Sequence, residues 1–230
     1  MENLRKALPS IITSVSLISG MTSIALSIEG YLGIAASLIL LSYVLDLVDG
    51  ALARRLGVCS DFGVQLDSLV DMTNFGAAST VLVWSHLRQG GNQSWLIWPF
   101  GIAFVLAGAL RLARFNLQAS DSKAMESTGL TISTSGAYIT LAVLADRAFE
   151  RGLLPDEAFL ILLPLLTGLM VSTIRFPEIK AIFERRKTSM ALLSASVIVA
   201  FWATPQVVWW GLTTGYILIS LARAGYRTLA

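Results

Sequence analysis

Four aspartates, Asp46, Asp49, Asp67 and Asp71, fall within 26 residues of otherwise apolar sequence. A charged carboxylate at the centre of a membrane helix costs roughly 2.5–3.5 kcal/mol even on the lenient insertion scale. Four of them in such a setting need partners, and their spacing says which. Asp46 and Asp49 are three apart, and Asp67 and Asp71 are four apart. On helices, each pair therefore shares a face. Gly50 and Ala53 continue the face of Asp46, and Gly63 lies one turn before Asp67. Residues this small let two helices, or a ligand, come close. The connection between the two pairs is short, which makes their helices antiparallel neighbours with converging carboxylates.

Local basic residues are few: Arg54, Arg55 and, from further along, Arg111 or Arg114. Divalent cations neutralise the cluster better. Hard oxygen ligands select Mg²⁺ or Mn²⁺, and no His/Cys set is at hand for a softer metal. Four carboxylates suffice for two ions at the ~3.5–4 Å spacing of two-metal phosphoryl-transfer sites. A pyrophosphate substrate suits such a pair, because the ions neutralise charge that grows on the leaving phosphate. Arg54 can add a fork of donors to a phosphate. One carboxylate can take the proton of an attacking alcohol. The rival reading is a cation transporter, since paired intramembrane aspartates also serve ion pathways. Such a pathway spreads polar residues along several spans. Here they cluster on two, at one depth, beside arginines.

The elements that must hold these residues are membrane helices. The chain of 230 residues is 55% apolar and 14% charged, against roughly 25% charged in a soluble domain. Its mean hydropathy is +0.70. A net charge of +2 offers no nucleic-acid surface. Apolar stretches near 9–28, 31–51, 62–86, 95–115, 128–146, 157–174, 189–204 and 206–222 predict eight spans in an all-α, polytopic bundle. The first stretch is about as long as a bilayer is thick, so it reads as a retained helix and not a signal peptide. An even count puts both termini on one side. That side receives 14 of the 17 Lys and Arg residues, leaving Arg88, Arg147 and Arg151 on the other. The positive-inside rule then makes the termini and the acidic cluster cytoplasmic. Trp95, Trp98, Trp209 and Trp210 fall where aromatic belts form on the far side. His86, the single histidine, reads as interfacial there, and the lone Cys59 reads as a packing residue. The segment Arg175 to Lys187 reads as an interfacial stretch or a solvated loop. The last two spans carry no acidic residue after Lys187, and read as lipid-facing scaffold or a subunit contact.

The run Asp46-Leu-Val-Asp49-Gly50-Ala-Leu-Ala53-Arg54, then Gly63, Asp67 and Asp71, resembles the signature of the CDP-alcohol phosphotransferase family at all eight fixed positions. The resemblance implies that Asp46, Asp49 and Asp67 bind the metals. Asp71 would be mainly the base for the acceptor alcohol, with a share in metal binding. Gly50, Ala53, Arg54 and Gly63 would line the CDP pocket with the aspartates. It also implies a single membrane-embedded domain over 1–230, with a catalytic core of six spans in 1–187 and two further spans in 188–230, and a homodimer. Ser60-Asp61-Phe62-Gly63, Leu110 to Asn116, and Met170 to Pro177 are similar to the phosphatidylserine synthase branch. For that branch the partners are CDP-diacylglycerol in the membrane lipid and L-serine, with CMP released. Where the branch has a Pro-Ile-Pro-like segment, this chain has Thr131-Ile132-Ser133, and Ser16 stands where an asparagine is usual. Glycerol 3-phosphate or inositol phosphate therefore stay open as acceptors. Arg111, Arg114, Asn116 and Arg175 are candidate contacts for the lipid phosphate or the acceptor. The Ser/Thr run from Ser127 to Ser135 could bridge helices or line the acceptor pocket.

Overall fold

The computed structural model describes residues 2–58, 60–91, 95–119, 128–150, 152–174, 176 and 204–229. Its regular elements are helices: α1 (Glu2–Ile28), α2 (Leu32–Leu56), α3 (Asp61–Asp71), a π-helical segment (Met72–Ala78), α4 (Ser79–Gln89), α5 (Ile97–Ala119), α6 (Ile132–Arg147), α7 (Asp156–Val171) and α8 (Pro205–Leu229). The π segment joins α3 to α4, so residues 61–89 form one rod. Three helices, at Ala7–Ile28, Leu32–Leu56 and Ile97–Leu117, are long and apolar enough to cross a membrane. The expected span at 189–204 lies, but for Thr204, outside the described residues, as do Arg175 and most of the segment to Lys187.

Each boundary has a local cause. α2 runs past the expected end at 51 because Ala53, Arg54 and Arg55 are good helix formers, and it stops at Gly57, which is left-handed. Ser60 caps α3 by accepting the Gly63 N–H at 3.1 Å. Thr131 caps α6 in the same way through the Thr134 N–H. α7 starts after Pro155 and carries Asp156 and Glu157 in its first turn, where the helix dipole favours negative charge.

α1 and α2 form an antiparallel pair held by a stripe of hydroxyls. Ser16, Ser19 and Ser23 donate to the carbonyls of Ser42, Leu38 and Ala35 at 3.3, 3.0 and 2.8 Å. Lipid supplies no hydrophobic drive between helices, so small residues and such bonds, each worth about 0.6 kcal/mol, do the joining. The opposite face of α1 exposes Ile11, Val15, Ile18 and Met21, a surface suited to lipid. α6 lies at the centre, with Ile139, Ala142 and Val143 fully buried. Gly136 lets α6 touch the π segment, since a Cβ there would overlap the backbone of Phe75.

Two residues expected near the interface have partners inside the protein. Trp210 stacks on Tyr138, with ring centroids 6.1 Å apart. His86 is buried, its Nε2 lying 3.1 Å from Asp146 Oδ2.

Candidate active site and metal centre

α2 and α3 bring the acidic residues together through the turn at 57–60. One carboxylate oxygen from each of Asp46, Asp49 and Asp67 lies within 4.8 Å of the others. Asp71 stands outside this trio. Four residues of helix rise by about 6 Å, so a shared face sets Asp71 one turn further along the rod than Asp67. There it is 8% exposed, and Ser133 Oγ of α6 donates to its Oδ2 at 3.2 Å. The sequence reading of four ligands thus divides into three converging carboxylates and a separate one bonded to a hydroxyl.

Asp49 is the most buried of the trio, at 5%. Thr13 Oγ1 of α1 donates to its Oδ2 at 2.7 Å, which fixes the direction of the other oxygen. Sequence reasoning missed Thr13. The signal was its place on the buried stripe it shares with Ser16, Ser19 and Ser23. The donor set is all carboxylate oxygen and belongs to two rigid helices. It fits a hard divalent cation and does not fit a thiolate or imidazole metal.

A cavity of about 210 Å³ opens beside the trio and is bordered by Asp46, Asp67 and Asp71. Arg111 of α5 lines it, 7% exposed and with its guanidinium 5.9 Å from the Phe115 ring centroid. Asn116 also lines it and donates to Ser68 Oγ at 3.0 Å. Thr131, Ser133 and Thr134 complete the polar side, together with Tyr43. Arg114 does not line the cavity. Its Nη2 donates to the Thr128 carbonyl at 3.0 Å and ties α5 to the strand of chain that leads into α6. Tyr216 of α8 also borders the cavity, a position that a search for acidic residues could not find.

Gly50, Ala53, Arg54 and Gly63 are not among the cavity-lining residues. They lie further toward the turn between α2 and α3. Arg54 is exposed and folds back over Gly50, where a Cβ would sit 3.4 Å from Nη1. The missing side chain leaves the guanidinium room to lie along the helix.

A helical bundle with these carboxylates on adjacent helices matches the CDP-alcohol phosphatidyltransferase family over residues 6–171. The chain belongs to that family and is an enzyme of its class. It is 33% identical over 176 residues to a CDP-diacylglycerol–serine O-phosphatidyltransferase of Helicobacter pylori (strain ATCC 700392 / 26695), covering 76% of this chain and 73% of the relative. It is 34% identical over 175 residues to an archaetidylserine synthase of Methanothermobacter thermautotrophicus, covering 75% and 70%. A third relative, a CDP-diacylglycerol–serine O-phosphatidyltransferase of Mycobacterium leprae, is 37% identical over 117 residues, covering 50% and 37%.

Proposed function

We propose that this enzyme transfers a phosphatidyl group from CDP-diacylglycerol to the hydroxyl of L-serine, giving phosphatidylserine and CMP. It would do so in a membrane, as an eight-span homodimer with both termini and the site on the cytoplasmic side. The observation that carries the reading is the trio of carboxylates, within 4.8 Å of one another, at the edge of a cavity that also holds Asp71 and Arg111.

Asp46, Asp49 and Asp67 would hold Mg²⁺ or Mn²⁺, two ions by the family resemblance. When bound, the metal supplies positive charge to the pyrophosphate and to the phosphate that leaves. Arg54 reaches the nucleotide side with a fork of donors, and Gly50, Ala53 and Gly63 leave space for the CDP moiety. Asp71 accepts the proton of the acceptor hydroxyl while Ser133 holds its other oxygen in place. The acceptor oxygen attacks the phosphorus that carries diacylglycerol. A new P–O bond forms, the bond to the CMP phosphate breaks, and CMP departs with the electron pair.

The arginines favour serine over a phosphorylated acceptor. A phosphate carries up to two charges and calls for a cluster of cations. Among the described residues Arg111 is the guanidinium that lines the cavity, and Arg114 is engaged by Thr128. A guanidinium matches a carboxylate, such as serine presents.

The test is CMP release from CDP-diacylglycerol by purified enzyme, with L-serine, glycerol 3-phosphate, inositol phosphate and inositol as separate acceptors. Serine-dependent, divalent-dependent release is expected. Release with a phosphorylated alcohol alone would replace serine with that acceptor. Ion flux in liposomes without any CDP-lipid and without CMP release would restore the transporter reading.

A further inference from the structure

The cavity has a wall that the family match does not reach. The matched stretch ends at residue 171, yet Tyr216 borders the same space as Asp71 and Arg111. α8 is brought there by its packing on α6. Trp210 stacks on Tyr138, and Thr214 Oγ1 donates to the Tyr138 hydroxyl at 3.2 Å. Ile217 is buried at 7% exposure. Positions 210, 214 and 217 fall on one helical stripe, the stripe that faces α6. Tyr216 lies about 100° around the helix from Ile217, on the flank that turns from α6 toward the cavity. Ser220, one turn on, is 2% exposed on the same flank.

Size and position say which substrate Tyr216 meets. At about 210 Å³ the cavity is smaller than the ~300–1,000 Å³ of a drug-sized site. It holds a headgroup-sized molecule and not a CDP-lipid with two acyl chains. The group to be deprotonated must come within hydrogen-bond reach of Asp71, so the space around Asp71 is where the acceptor sits. Tyr216 borders that space with a rigid aromatic ring. The ring face suits an ammonium group, and Arg111 suits a carboxylate.

We infer that Tyr216, carried by the C-terminal span, walls the acceptor subsite and determines which small amino alcohol fits beside Asp71. This rests on the phosphatidyl-transfer reading above and assigns the last span a part in substrate choice.

Tyr216→Ala in the full-length enzyme tests it, with KM measured separately for acceptor and for CDP-diacylglycerol. An acceptor KM raised about 10-fold is expected, with use of bulkier amino alcohols such as threonine and a CDP-diacylglycerol KM within about twofold. Ile217→Ala, on the buried stripe, is the control for looser packing. It should lower the unfolding temperature and leave acceptor preference alone. If the alanine variant does not fold, Tyr216→Leu carries the same measurements. An unchanged acceptor KM and range, or an equal rise in both KM values, overturns the inference while the wild type still works. A wild type that releases no CMP with any alcohol overturns the phosphatidyl-transfer reading as well.

Discussion

The two ends of α6 each meet buried carboxylates, and they treat them in opposite ways. At the C-terminal end Asp146 is surrounded by donors. Its Oδ1 accepts the backbone N–H groups of Leu153 and Leu154 at 2.6 and 2.7 Å, and its Oδ2 lies 3.1 Å from His86 Nε2. At the N-terminal end, three carboxylates are held within 4.8 Å of one another and a fourth is bonded to Ser133. Asp146 is complete within the chain and binds the α6–α7 loop to α4. The trio gathers negative charge into a set of carboxylates that could hold a metal ion. A buried acid reads as structural when its neighbours are donors, and as a ligand site when its neighbours are other acids.

Neutralising one carboxylate of the trio is the strongest way to break that contrast. Asp46→Asn, Asp49→Asn or Asp67→Asn should each cut CMP release by roughly 10²–10³-fold or more while the unfolding temperature holds or rises, because like-charge repulsion is relieved. A chelator should have the same effect on the wild type and be reversed by Mg²⁺ or Mn²⁺. Asp146→Ala should do the reverse. It should destabilise by about 3 kcal/mol, the scale for breaking a buried pair, seen as a lower unfolding temperature in detergent with the acceptor KM unchanged. If Asp146→Ala abolished turnover in a stable protein, the division of labour between the two ends would fail.

Thr13→Val sharpens the comparison, since it removes a donor to Asp49 Oδ2 and keeps the shape. Mn²⁺ affinity, read by electron paramagnetic resonance without substrate, should weaken about 10-fold, as for other residues that orient a metal ligand. Thr13→Ser should restore it. The smallest effect is expected from Arg114→Ala, which loses the bond to the Thr128 carbonyl. That is worth about 1 kcal/mol of stability, with little change in KM for either substrate. A large rise in acceptor KM would move Arg114 into the binding site.

Much of this was legible in the letters. The expected spans at 9–28, 31–51, 62–86, 95–115, 128–146, 157–174 and 206–222 each overlap an observed helix or, for 62–86, the rod of α3, π segment and α4. Hydrophobic runs and charge breaks are local signals, and lipid enforces helices wherever they occur. The carboxylate trio was legible for the same reason, because a three- or four-residue spacing fixes a face. The separate place of Asp71 came from the family resemblance and not from spacing, since it depends on rise along the axis and on Ser133, which is 62 residues away. α6 starts four residues later than expected because Gly129, at φ +80°, turns the chain against the carbonyl of Met170. Tyr216 was hidden because a lone tyrosine in an apolar span looks like any other aromatic until α8 has a neighbour.

The contact of Gly136 with Phe75 has a consequence for how the enzyme can fail. Phe75 lies four residues past Asp71 and Gly136 three past Ser133, so Asp71 and its hydroxyl partner ride on two backbones that touch at that crossing. The gap between them is gauged by bare main chain. A single methyl placed at the crossing would act as a shim, spreading the two helices and parting Asp71 from Ser133 with every chemical group still present.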